Sequence, residues 1–178
     1  MRLFIAINFE DKLKNAIQNI IQDIKKYSKQ GRFVKNEHMH LTLEFLGEIP
    51  PAKVDLIEEA MEKMSGRPFT LELSEIGHFK RRGGSIYWIG LEKNKALLKV
   101  QKRLHNLLSE SGFELENREY RPHLTIGRKV TMDGDFNPDK YMGQLKKIKI
   151  TVDKIDLMKS ENIGGQLKHT VIFSKGLR

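Results

Sequence analysis

Cysteine is missing from all 178 residues. That removes disulfides, thiolate nucleophiles and cysteine-ligated zinc from consideration. No apolar run approaches the length of a membrane span. The opening Met1-Arg2-Leu3-Phe4-Ile5-Ala6-Ile7 has the look of a secretory leader, but the run stops at Asn8 and charged Glu10-Asp11-Lys12 follow. Without a longer apolar stretch or a cleavage pattern it reads as a first strand. No P-loop or GxGxxG pattern surrounds Gly164-Gly165, so that pair reads as a hairpin turn. Nor is there a run of carboxylates and histidines of the kind that ligates a metal. These absences predict a cytoplasmic chain with no membrane partner.

What remains is a globular composition, 39% hydrophobic and 31% charged. The length allows one or two small domains with a real core. The formal charge is +9 at pH 7. Such an excess favours a polyanionic partner such as RNA. Charge alone equally fits a Lys-rich surface, and it does not separate RNA from DNA or a nucleotide.

One short pattern occurs twice, as His40-Leu41-Thr42-Leu43 and as His123-Leu124-Thr125-Ile126. Both copies alternate polar and apolar residues and read as strands. Residues i and i+2 of a strand share a face. Each copy therefore presents an imidazole beside a hydroxyl, backed by two core residues. With 6 His and 6 Thr in the chain, chance supplies about 0.2 His-X-Thr triplets. An imidazole moves protons near neutral pH, and a hydroxyl hydrogen-bonds an oxyanion. Two such faces brought together supply an acid, a base and two phosphate donors.

The periodicities predict strands over 2–9, 32–34, 39–46, 69–79, 85–92, 123–130, 148–159 and 169–174. Helices are predicted over 11–29, after Pro50-Pro51, and over 95–111, with Gly31 and Gly112 as stops. Residues 131–147 predict at most a short helix. The two motifs lie 123 − 40 = 83 residues apart. The same offset sets Leu3 on Ile86, Phe4 on Tyr87, Ile5 on Trp88 and Ala6 on Ile89. An offset of 79 sets Leu71, Leu73 and Ile76 on Ile150, Val152 and Ile155. The chain thus reads as one domain over 1–178, a duplicated unit with halves of about 1–84 and 85–178. Duplication predicts that the two motif strands face each other about a pseudo-two-fold axis.

With RLFIAI at 2–7, HLTLEFLGE at 40–48 and RPHLTIGR at 121–128, the chain resembles the two-histidine (2H) phosphoesterase superfamily. The resemblance is to its LigT-like branch of RNA 2′,3′-cyclic phosphodiesterases, also called 2′-5′ RNA ligases. HTVIFSKGL at 169–177 resembles the family's final strand, with His169 where an aromatic is common. The resemblance implies an α+β, bilobal fold: two antiparallel sheets facing a central cleft, with helices outside. It implies metal-independent hydrolysis of RNA 2′,3′-cyclic ends to a 2′-phosphomonoester, with no cofactor, and reversible 2′-5′ joining as a further activity. It also implies His40 as general acid and His123 as general base, with Thr42 and Thr125 on the phosphate. Its expected partner is RNA with cyclic phosphate ends, tRNA fragments among them, and its expected state a monomer. The alternatives are a 2H enzyme of small cyclic nucleotides, or a non-catalytic module that binds RNA ends.

Two further positions enter the expected site. Arg128 follows the second motif, where a guanidinium can bind phosphate in bidentate fashion. Its repeat equivalent is 128 − 83 = Phe45, which either stacks on a base or packs in the core. An unbroken strand turns residue i+5 away from the motif face, so both roles need a bulge, a bend or a strand end. His38 reads as rim or solvent, His105 as helix surface, and His169 as facing either the cleft or solvent. The basic loop from His78 to Gly84 either touches RNA or is a solvated hairpin turn.

Overall fold

The computed structural model describes all residues 1–178. Two antiparallel sheets form its frame. The first runs in the order β3-β1-β8-β9, from β1 (Arg2–Asn8), β3 (His40–Glu48), β8 (Lys154–Ile163) and β9 (Gln166–Gly176). The second runs β2-β6-β5-β4-β7, from β2 (Ser28–Phe33), β4 (Phe69–Phe79), β5 (Ser85–Leu91), β6 (His123–Met132) and β7 (Lys149–Val152). The helices are α1 (Asp11–Lys25), α2 (Val54–Glu62), α3 (Lys95–Glu110) and the short α4 (Met142–Lys146). The expected α+β architecture of two antiparallel sheets is the one found.

Periodicity explains why the helices lie where they do. In α1, Ile17, Ile20, Ile21 and Ile24 fall on one stripe and are buried. In α3, Leu97, Val100, Leu104, Leu107 and Leu108 do the same. Asn94 starts α3 by accepting the Leu97 N–H at 2.9 Å, and Gly112, at φ 86°, follows its end. One core of 37 buried residues draws on both sheets and on all four helices.

Each sheet combines both halves of the chain. β4, from the first half, pairs with β5; β8, from the second, pairs with β1. The exchange accounts for the break in the strand predicted over 148–159. Burial alternates through Ile150 and Val152, then slips one residue to Ile155 and Leu157. At Asp153 the chain leaves β4 and crosses to β1.

The ladders also correct the repeat. His40 lies opposite Asn8, and His123 opposite Gly90, so the first strands match at 90 − 8 = 82 and not 83. Ala6 is therefore the equivalent of Trp88, and Ile7 of Ile89. A slip of one residue exchanges the faces of a strand, so the 83 offset had set cleft residues on core residues. With 82, the partners Met158 of Phe4 and Phe79 of Ile86 differ by 158 − 79 = 79, the offset read from the later strands.

Gly31 is not a helix stop. α1 ends at Lys25, and Gly31 lies within β2 at φ 138°, where a Cβ would come 2.8 Å from the Val130 Cα. β2 is a polar, exposed strand made by pairing with β6, and no apolar alternation announces it. β9 is likewise longer than the predicted 169–174. Gly164 and Gly165, both at positive φ, form the turn between β8 and β9.

Candidate active site

The two motifs occupy equivalent places in the two sheets. His40 and Thr42 begin β3; His123 and Thr125 begin β6. All four are partly exposed, while Leu41, Leu43, Leu124 and Ile126 are buried behind them. The strands are tied directly: the Tyr120 hydroxyl, three residues before His123, donates to the Thr42 carbonyl at 2.9 Å. Burial raises the Tyr120 pKa, so the hydroxyl keeps the proton it donates.

Both rings are held by the backbone two residues upstream. His123 Nδ1 lies 2.7 Å from the Arg121 carbonyl, which makes Nδ1 the N–H donor. His40 is similarly hydrogen-bonded to the His38 backbone. A ring that donates from one nitrogen offers the other for proton exchange.

The surroundings of the two rings differ. His40 packs against Phe4, with centroids 4.8 Å apart, and edge-on against His169 at 5.5 Å. His38 packs against His169 in turn at 4.8 Å. Burial, then the neighbouring His169, hold His40 down at about 4; the hydrogen bond to the His38 backbone opposes them, and the charges of His38 and Lys14 add to the lowering. Burial and His38 lower His169 as well. The free protein therefore carries a neutral His40 at pH 7. His123 is flanked instead by Phe79 at 5.4 Å and Trp88 at 6.4 Å.

Matching bulges follow the motifs. On β3 the pairing jumps from Ala6–Thr42 to Ile5–Glu44, leaving Leu43 extra. On β6 it jumps from Trp88–Thr125 to Tyr87–Gly127, leaving Ile126 extra. A bulge restores the motif face to residue i+5. Phe45 accordingly lies on the cleft side, opposite Phe4, and is 54% exposed. It is therefore not a core residue. Arg128 is also exposed and pairs with Arg32 of β2, so two guanidinium groups arise side by side.

Several residues near the motifs were not legible in the sequence. His169 is a cleft residue, and His38 belongs to the same cluster. His105 is not free surface: its Nδ1 is 2.9 Å from the buried Glu44 carboxylate, which also accepts from Gln101. Asn8, opposite His40, donates to the buried Asp156 at 2.7 Å, and Ser174 donates to the same carboxylate. The loop after His78 is a β4–β5 hairpin with Gly83 and Gly84 at positive φ. Only the cross-strand registers reveal these contacts; an isolated His or Asn carries no such signal. Despite the three neighbouring imidazoles, no group of three or more His, Asp or Glu is disposed to hold a metal ion.

Known proteins resemble this chain in sequence and in fold. The model of the 2′-5′ RNA ligase superfamily matches residues 9–164. An RNA 2′,3′-cyclic phosphodiesterase of Thermotoga maritima is 33% identical over 168 residues, covering 90% of this chain and 87% of its own. The enzyme of that name from Methanocaldococcus jannaschii is 32% identical, covering 99% and 92%. Apo LigT of Escherichia coli superposes with a TM-score of 0.84 at 24% identity, over 99% of this chain and 96% of its own. That likeness establishes the fold.

Proposed function

The chain belongs to the 2′-5′ RNA ligase superfamily and is by class an RNA 2′,3′-cyclic phosphodiesterase, and from that premise we propose that it opens cyclic RNA ends to 2′-phosphomonoesters by two-histidine acid–base catalysis. The supporting observation is the pairing of two His-X-Thr strands, tied through Tyr120 and Thr42, with each ring anchored two residues upstream. One chain carries both motifs, which is the basis for a monomeric catalyst. Its RNA ends include those of tRNA fragments, and the cytoplasm is its proposed location. In 2′-5′ joining an RNA 5′-hydroxyl takes the place of water: its oxygen bonds to phosphorus as the P–O3′ bond breaks, His123 takes its proton and His40 protonates O3′, and the diester so formed can revert by the same steps run backwards.

The reaction needs a proton taken from water, a proton given to the leaving ribose oxygen, and stabilised charge on the phosphorus oxygens. His123 takes the first proton and His40 gives the second. Thr42 and Thr125 donate to the non-bridging oxygens, and Arg128 adds a cation. Phe45 is placed to stack on a base. His40 is neutral in the free protein, so the acid role requires substrate to load it. A phosphodiester anion beside the ring favours the imidazolium, because an opposite charge raises an imidazole pKa.

The test is hydrolysis of a 2′,3′-cyclic-ended oligonucleotide beside a cyclic mononucleotide, with EDTA in excess. Activity should persist; loss on chelation, restored by a divalent ion, would sink the metal-free mechanism. His40→Ala and His123→Ala should each cost about 10²–10⁴-fold, and Thr42→Ala or Thr125→Ala about 10²–10³-fold. A better leaving group should rescue His40→Ala and not His123→Ala. Rescue of His123→Ala alone would reverse the two roles.

A further inference from the structure

The wall of the cleft beside His123 has a use that acid–base chemistry does not require. Trp88 is the only tryptophan in the chain. It lies on the cleft side of β5, because its neighbours Tyr87 and Ile89 are buried on the other side. Its cross-strand partner on β4 is Gly77. A Cβ placed on Gly77 would fall 2.3 Å from two atoms of the indole's six-membered ring. The six-membered ring of the indole therefore lies over the bare Gly77 backbone, and Trp88 stays partly exposed. Phe79 adjoins it at 5.4 Å, and the Arg81 guanidinium caps Phe79 at 5.9 Å.

The indole is held by packing alone. Its Nε1–H is enclosed with no acceptor in the protein. An enclosed, unpaired donor is a cost that a purely apolar side chain avoids. What tryptophan offers in exchange is a broad π face, and every nucleobase has a face to set against it. The place is apt, since Trp88 pairs with Thr125 and stands 6.4 Å from the His123 ring.

We infer that Trp88, seated on Gly77 beside His123, is a stacking platform for a nucleobase of the RNA end. This rests on the cyclic phosphodiesterase reading of the cleft. Phe79 adjoins the platform, and Arg81 and Arg82 of the following hairpin add two cations next to it in the chain. The platform is on the opposite wall from Phe45. The two walls then receive two bases, so the substrate is recognised as an RNA end of at least two nucleotides.

Because Trp88 is the sole tryptophan, its fluorescence reports on this wall alone. A dinucleotide ending in a 2′-phosphate should quench it, whereas ribose 5-phosphate and inorganic phosphate should not. Equal quenching by all three overturns the platform, since the ring would then sense only an occupied site. Trp88→Leu should raise KM for a cyclic-ended oligonucleotide about 5- to 100-fold. It should leave kcat and inhibition by inorganic phosphate within about twofold. Gly77→Ala, which pushes the indole off the backbone, should raise KM in the same way while Trp88 itself is kept. An unchanged KM in Trp88→Leu overturns the inference. Quenching by the dinucleotide without turnover of any cyclic end would support the platform and defeat the reaction; turnover without quenching would do the reverse.

Discussion

His40 and His123 differ in their neighbours more than in their motifs. Phe4, His169 and His38 enclose His40, and its pKa falls to about 4 from an ordinary 6.5. Between those values the unfolded chain binds more protons than the folded one. The neutral ring's contribution to stability is thus complete above pH 6.5 and is lost as pH falls towards 4. His40→Gln should flatten that acid-side decline in the melting temperature. His169→Phe keeps an aromatic against the ring and removes its ionisable neighbour. The His40 titration midpoint, followed by imidazole NMR, should then rise towards its ordinary value. A midpoint that stays in place would show that His169 does not act on His40. If substrate loads His40, binding of a cyclic mononucleotide at pH 7 to the His123→Ala protein, which should turn it over too slowly to interfere, should take up a proton, and affinity should fall as pH rises. Calorimetry in two buffers of different ionisation enthalpy measures that uptake. No uptake would leave His40 neutral in the complex and remove it as the acid.

At the level of elements, the bulges at Leu43 and Ile126 explain how one strand serves two purposes. The motif needs His and Thr in the cleft, and the bulge then returns Phe45 and Arg128 to the same side. The bulge on β3 also leaves both Leu43 and Glu44 buried. Glu44 is a buried carboxylate, and His105 and Gln101 of α3 satisfy it. A helix of the second half is thereby anchored to the first motif strand. Removing one member of a buried polar pair costs more than the pair itself contributes. His105→Leu should therefore lower stability by about 1–3 kcal/mol in denaturant unfolding, with kcat changed little. A kcat loss as large as that of His40→Ala would instead place His105 in the proton path. Such bulges are written in pairing registers, which is why periodicity alone asked for a break after each motif without locating it.

For the molecule as a whole, the exchange of β4 and β8 means that neither half of the chain closes a sheet alone. A core of 37 residues is shared by the two halves. The surface around it carries +9. Phosphates neutralised by Lys and Arg release counterions, so binding of a cyclic-ended oligonucleotide should weaken linearly in log salt. A cyclic mononucleotide, with a single phosphate, should show a much shallower slope. Equal slopes would mean that the excess charge is not a track for RNA.

Local pattern by itself determined the helices α1 and α3 and the motif strands. These depend on residues close in sequence, whose spacing decides which face is apolar. The need for a bulge before Phe45 and Arg128 was legible for the same reason, since strand parity is a local count. Tertiary structure alone decided the register of β1 against β3 and of β5 against β6, the break at Asp153, and the polar strand β2. Each depends on which distant backbone supplies the hydrogen bonds, and composition does not encode that choice. It also decided that His38 and His169 join His40, that His105 meets Glu44, and that Trp88 lies on Gly77. A side chain's chemistry follows from its neighbours in space, and here those neighbours come from as far as 169 − 4 = 165 residues away, the distance from Phe4 to His169, whose rings lie 5.1 Å apart.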